Sequence, residues 1–203
     1  MGRDMTCVRS RSLTLCMLLP LLALSACSKT VQWEEEVPLN TGETIWVKKT
    51  LSYSIKGGAG NPLDMAYRPD WVERLEFEWA GKKYAYEGDA RVILLAISPQ
   101  KMPVLVARAA DKDWHHTHTY KCTTPFYVQF VPDASGRTWT WPPAIEPWLF
   151  GLSHNLLRTR EAPEKMKTRY TAQERNNEDA TGSIQDPSKA RIDPNHTVNT
   201  CFK

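Results

Sequence analysis

From Thr44 onward the chain alternates. Ile45, Val47, Leu51, Tyr53 and Ile55 fall on one side of an extended backbone, with Trp46, Lys48, Thr50, Ser52 and Ser54 on the other. A period of two marks a strand with one buried face; wound as a helix, the same residues would be scattered around the axis. Gly57-Gly58-Ala59-Gly60-Asn61-Pro62 ends the run and, lacking the lysine that a phosphate-binding loop requires, reads as a turn. Leu75, Phe77 and Trp79 alternate with Glu76 and Glu78, break at Ala80-Gly81 and resume as Tyr84 and Tyr86, which predicts a β-hairpin. Val92 to Ile97 and Val104 to Ala107 are continuous apolar runs, expected of strands covered on both faces in the centre of the sheet system. Phe126, Val128 and Phe130 give another alternating strand, and Thr138 to Trp141 is expected to end the β region. The predicted fold class is therefore mainly β, an antiparallel β-sandwich or barrel-like sheet, with strand order left open.

Behind Pro142-Pro143 the pattern changes. Trp148, Leu149, Leu152, Leu156 and Leu157 recur at helical spacing after Pro147, which suits a first helical turn and predicts a short helix. Thr171 and Glu174 have capping-box spacing for a second, polar helix that Gly182 would stop. The segment from Ser183 to Lys203 is expected to wrap the surface.

The N-terminal segment carries Arg3, Arg9 and Arg11 against Asp4, followed by an apolar run of 12 residues, Leu13 to Leu24. That run is too short for a bilayer core, which takes ~20 residues as a helix, and it reads as a signal peptide. Leu24-Ser25-Ala26-Cys27 resembles the lipobox at which bacterial lipoprotein precursors are cut and acylated. The alternative is an ordinary secretory signal cut near Ala26, with Cys27 a plain thiol. The lipobox reading gives a signal peptide at 1–26, a lipidated N-terminus and polar tether at 27–42, and a single mainly β periplasmic domain at 43–203. It implies a thioether-linked diacylglycerol and a further acyl chain on Cys27, enough for stable anchoring. Ser28 behind the cysteine, rather than Asp, suits an outer-membrane destination if the host has two membranes.

Removing residues 1–26 takes three arginines and one aspartate, lowering the formal net charge from +3 to +1 over the remaining 177 residues. In that body the basic residues are interleaved with acids, and Lys48-Lys49 and Lys82-Lys83 are only pairs, which argues against a nucleic-acid partner. Cys7 and Cys16 leave with the signal and Cys27 is acylated, so Cys122 and Cys201 remain in an oxidising compartment. One disulfide between them is the simplest expectation. By chain entropy it would stabilise the fold by about 4.5 kcal/mol. The alternative, a metal or redox pair, lacks a CxxC partner for either residue.

Three features bear on chemistry. In Trp114-His115-His116-Thr117-His118, behind Asp111 and Asp113, a strand would turn His116 and His118 to one face, where two imidazoles and a carboxylate can hold Zn²⁺ or Cu²⁺. The spacing matches no strong signature, and an exposed His-rich hairpin is the competing reading. Trp139, Trp141 and Trp148, among Pro142 and Pro143, offer a surface for a glycan or a protein partner, against simple core filling. Ser153-His154 sits in Gly151-Leu152-Ser153-His154-Asn155, which is not a nucleophile elbow because Asn155 stands where the second glycine belongs. No complete catalytic constellation emerges, and a non-enzymatic role without a soluble cofactor is favoured. A periplasmic metal-binding protein built on His115, His116 and His118 is the alternative.

Residues 57–64, Tyr67-Arg68-Pro69-Asp70-Trp71, Tyr86 to Ala90, Cys122 to Phe130 and Trp139 to Trp148 resemble segments of an uncharacterised family of proteobacterial lipoproteins. The resemblance spans most of the chain after the signal. It implies a two-membrane host, hence the outer membrane, and brings no activity, substrate or catalytic residue with it.

Overall fold

The alternating segment is the second strand of a five-stranded sheet in a computed structural model of the protein, which describes residues 28–58, 61–108, 123–159, 163–174, 184–185 and 191–197. Strands β1 (Ser28–Pro38), β2 (Thr44–Gly58), β3 (Asn61–Trp79) and β4 (Lys82–Gly88) form an antiparallel meander. The short β10 (Arg169–Tyr170) adds to β1 in parallel, giving the order β10-β1-β2-β3-β4. A second, antiparallel sheet has β5 (Val92–Ile97), β6 (Pro103–Arg108), β7 (Tyr127–Pro132) and β8 (Trp139–Thr140), in that order. A two-stranded pair joins β9 (Arg158–Thr159) to β11 (Ile184–Gln185).

The two larger sheets pack face to face as a sandwich. Val37, Val47, Leu75, Phe77, Tyr84 and Tyr86 meet Leu95, Ile97, Leu105, Ala107, Val128 and Phe130 between them. The apolar runs are buried on both faces, as expected, but only β6 lies inside its sheet: β5, expected in the centre, is an edge strand. The far side of the second sheet, with Ile93, Leu94, Ala96, Val104 and Val106, is covered by Ile145, Leu149 and Ile192 from the C-terminal part of the chain. A third cluster of Trp33, Leu51, Tyr53, Leu157 and Tyr170 fills the other end of the five-stranded sheet. The β3–β4 hairpin turns at Ala80 and Gly81, both at positive φ, the geometry that matches strand twist in two-residue turns.

Three expectations are corrected. The tether read over 27–42 contains a strand: all of β1 is paired with β2, from Ser28 opposite Ser54 to Pro38 opposite Thr44. Trp33, Glu35 and Val37 point inward and are buried, while Glu34 lies outside. The helix expected behind Pro147 is a single 3-10 turn at Pro147–Leu149. Gly151, at φ +83°, then redirects the chain, because its leucines serve different cores: Leu149 the outer layer, Leu156 the inter-sheet core and Leu157 the third cluster. One helical stripe faces one direction and cannot do this. The β region also continues past Trp141, through β9, β10 and β11. The capping box does form, with Glu174 Oε2 accepting the Thr171 N–H at 2.9 Å and Thr171 Oγ1 accepting the Glu174 N–H at 3.2 Å. Gly182 lies outside the described residues.

Exposed strand edges invite pairing with other chains, and here the middle of the β4 edge is covered by the segment leading into β8. On β4 the Ala85 N–H donates to the Gly136 carbonyl at 3.0 Å, and its carbonyl accepts Trp139 Nε1–H at 2.7 Å. Asp133 folds this loop by accepting from Ser135 Oγ at 2.6 Å and Gly136 N–H at 3.0 Å, and the Ser135 hydrogen bond holds its carboxyl below the usual range. Gly136 has φ +74°, and an added Cβ would stand 2.9 Å from both the Lys83 carbonyl and Tyr84 Cδ1. Gly136→Ala is therefore expected to cost about 2 kcal/mol, combining left-handed strain with lost edge contacts. Urea unfolding checks this against Gly42→Ala, where the added Cβ meets nothing within 4 Å and only the strain remains.

Candidate functional site

Strand alternation turns one row of side chains on each of β1 to β4 toward solvent. Register aligns Glu34, Lys48, Glu76 and Ala85 in one line across the sheet. The neighbouring line has Glu36 opposite Trp46 and Glu78 opposite Lys83. Ala85, small among long neighbours, leaves a shallow open depression bordered by Trp46, Lys48, Glu76, Lys83 and Arg137.

Opposite charges bind this face together. Arg74 Nη2 donates to Glu76 Oε1 at 2.8 Å, and its Nη1 lies 3.9 Å from Glu87. Arg169 comes in from β10, with Nε 3.8 Å from Glu34 and its guanidinium carbon 3.9 Å above the Trp46 ring centroid. Trp46 remains 36% exposed. Exposed ion pairs of this kind add little stability. What they offer is a patterned, exchangeable set of charges around an aromatic platform, suited to a polar or charged partner. Trp46 is legible in the sequence as the one aromatic residue in the polar row of its strand. Arg169 is not, because its placement depends on a parallel pairing across more than a hundred residues.

A second group of charges is closed to solvent. Glu35, Lys49 and Glu73 are 0%, 2% and 6% exposed. Lys49 Nζ lies 3.4 Å from Glu73 Oε2 and donates to the Leu157 carbonyl at 3.1 Å, while Glu35 Oε2 accepts the Leu157 N–H at 2.8 Å. Glu73 Oε1 also accepts the Val92 N–H. These side chains hold backbone from other parts of the sandwich, and their contacts describe a clamp.

The tryptophans singled out from sequence do not share a surface. Trp139 packs against the inter-sheet core, Trp148 packs on the opposite side of the second sheet and donates from Nε1 to Glu146 at 2.7 Å, and Trp141 is 50% exposed. The expected three-residue patch is thereby corrected, since the second sheet separates two of its members. Ser153 forms an isolated bridge to Arg191, and His154 beside it is buried outside any helix or strand. His196 packs its ring 5.3 Å from that of Tyr127, and burial, with Arg108 nearby, lowers its pKa below the ordinary histidine value. Cys27, Cys122, Cys201, Asp111, Asp113, His115, His116 and His118 all fall outside the described residues. Among the described residues no group of three or more His, Cys, Asp or Glu side chains is arranged to hold a metal ion, and no helix is long and apolar enough to cross a membrane.

These elements define a mainly antiparallel β-sandwich with a charged outer face. No family model, curated protein or solved structure matches the chain.

Proposed function

We propose that this protein is an outer-membrane-anchored lipoprotein whose sandwich is a non-catalytic binding or envelope-structural module, with the Trp46 face as its contact surface for an envelope protein or glycan. The observation that carries the reading is the junction between the lipobox and the fold. Cys27 is followed immediately by Ser28, the first residue of a strand paired over its whole length. Acyl chains on Cys27 would be joined to the sheet without a spacer, holding the sandwich close to the bilayer. The Arg169, Trp46, Glu34 and Lys48 group supports the contact role, offering both signs of charge beside an aromatic ring.

Cys27→Ala is expected to leave the signal's export information intact and to move the protein from the membrane fraction to the soluble periplasm. Fractionation with immunodetection checks this, and retention of the variant in membranes would sink the anchoring reading. A photo-reactive residue at position 46 in intact cells tests the contact role. One recurring adduct, lost when Lys48 and Arg74 are both changed to Glu, is the expected result.

A further inference from the structure

The inner face of the β2–β3 hairpin outruns the sandwich. Lys49, Leu51 and Tyr53 are buried along β2, Tyr53 completely. The next residue of that row, Ile55, is 36% exposed, and Met65, opposite Gly57, is 59% exposed. Direct cross-strand partners share a face, so Ile55, its partner Tyr67, and Met65 continue the buried stripe past the point where the described residues cover it. Lys29, also on this face and exposed, holds its ammonium 4.3 Å from the Tyr67 ring centroid.

The direction of this projection matters. Ser28 pairs with Ser54, the last row that includes β1. The Gly57–Met65 row lies three residues further on, about 10 Å at the rise of an extended strand. Cys27 is one peptide from Ser28, about 3.8 Å between Cα atoms. The exposed part of the apolar stripe therefore begins one row beyond the Ser28–Ser54 pair, at the end of β1 nearest in sequence to the residue that would bear the lipid. Apolar side chains with a neighbouring cation suit the bilayer interface, where the hydrocarbon part enters the acyl boundary and the ammonium meets anionic headgroups.

We propose that the exposed inner face of this hairpin, carried by Ile55 and Met65 with Lys29 beside them, is a second, non-covalent membrane contact that fixes how the sandwich stands on the bilayer. The inference rests on the anchoring reading above and adds an orientation to it: the Cys27 end lies in the interface, and the β3–β4 turn points away from it.

The test uses full-length protein, matured in cells and reconstituted in vesicles of phosphatidylethanolamine and phosphatidylglycerol. A photo-reactive residue replaces either Met65 or, as the distant comparison, the exposed Glu78, which pairs with Lys83 beside the far turn. Position 65 is expected to give roughly tenfold more phospholipid adduct by mass spectrometry than position 78, as for a side chain immersed 5–10 Å into the interface. Equal lipid labelling at the two positions, or labelling of a second protein copy from position 65, would overturn the proposal. The mass of the N-terminal peptide in the same sample separates the two readings. An acylated Cys27 with no lipid adduct at 65 overturns the hairpin contact alone, whereas an unacylated Cys27 overturns the anchor and the contact together.

Discussion

Replacing Lys49 with methionine is expected to destabilise the fold by about 3–5 kcal/mol, the range for removing one partner of a buried ion pair. Methionine fills much of the same volume, so the cost is electrostatic and polar rather than a cavity. Glu73, 6% exposed, would lose the ammonium at 3.4 Å. The Leu157 carbonyl would lose its donor at 3.1 Å, and a buried acceptor left without a partner costs about 1–3 kcal/mol by itself. In a domain of this size the loss corresponds to a fall in Tm of about 6–20 °C. Urea unfolding measures it, and the double variant Lys49→Met/Glu73→Gln locates its origin. The glutamine side chain would retain an oxygen for the Val92 N–H now bound by Glu73 Oε1 while removing the stranded charge. The double variant is therefore expected to be more stable than Lys49→Met alone. Equal stabilities would show that the Glu73 charge contributes nothing and that the cost belongs to the other contacts of Lys49, the Leu157 carbonyl and the Trp33 ring.

The same residues explain why part of the fold was hidden in the sequence. β2 was legible because most of its inward positions are apolar, and the β3–β4 hairpin and the runs of β5 and β6 were legible for similar reasons. β1 was not, because Glu34-Glu35-Glu36 reads as solvated charge although Glu35 occupies an inward slot between Trp33 and Val37. Lys49 makes the same kind of break in β2. These misfits to the alternation belong to one arrangement, since Glu35 and Lys49 take the N–H and the carbonyl of the same Leu157. A charge in a buried slot is tolerable when distant chain supplies its partner, and distant partners leave no local pattern. The first half of β3 was obscured in another way. Pro62 and Pro69 interrupt the sequence pattern, and the pairing with β2 shifts register between Leu51 and Tyr53. Of the candidate surfaces, Trp46 could be placed on the outer row from alternation alone, whereas separating Trp139 from Trp148 required knowing that the second sheet stands between them.

Asn155 closes a strand edge with its side-chain amide. Its presence argues against a nucleophile elbow, and in the fold it replaces a missing strand along the edge of β5. Oδ1 accepts the Leu95 N–H at 2.8 Å, while Nδ2 donates to the Leu95 carbonyl at 2.7 Å and to the Pro38 carbonyl at 2.9 Å. Asn40 does the same for Ile97, accepting its N–H at 2.7 Å and donating to its carbonyl at 2.9 Å. Ile93 completes the pattern, its carbonyl accepting the backbone N–H groups of Asn155 and Leu156. Thus alternate residues of an all-apolar edge strand are closed by amides, with no further strand on that side among the described residues. Asn155→Ala is expected to cost about 3 kcal/mol, since the fully buried Leu95 would lose partners for both backbone groups. Asn155→Asp discriminates between the two halves of the contact. It retains an acceptor for the Leu95 N–H but turns a carboxylate oxygen toward two carbonyls, so it is expected to be no more stable than the alanine variant. Unfolding in urea gives the energies, and amide exchange at Leu95 reports the edge directly. Faster exchange there, accompanied by concentration-dependent association through β5, is the expected signature of an uncovered strand; Leu95 protection unchanged in Asn155→Ala would mean that other groups seal the edge.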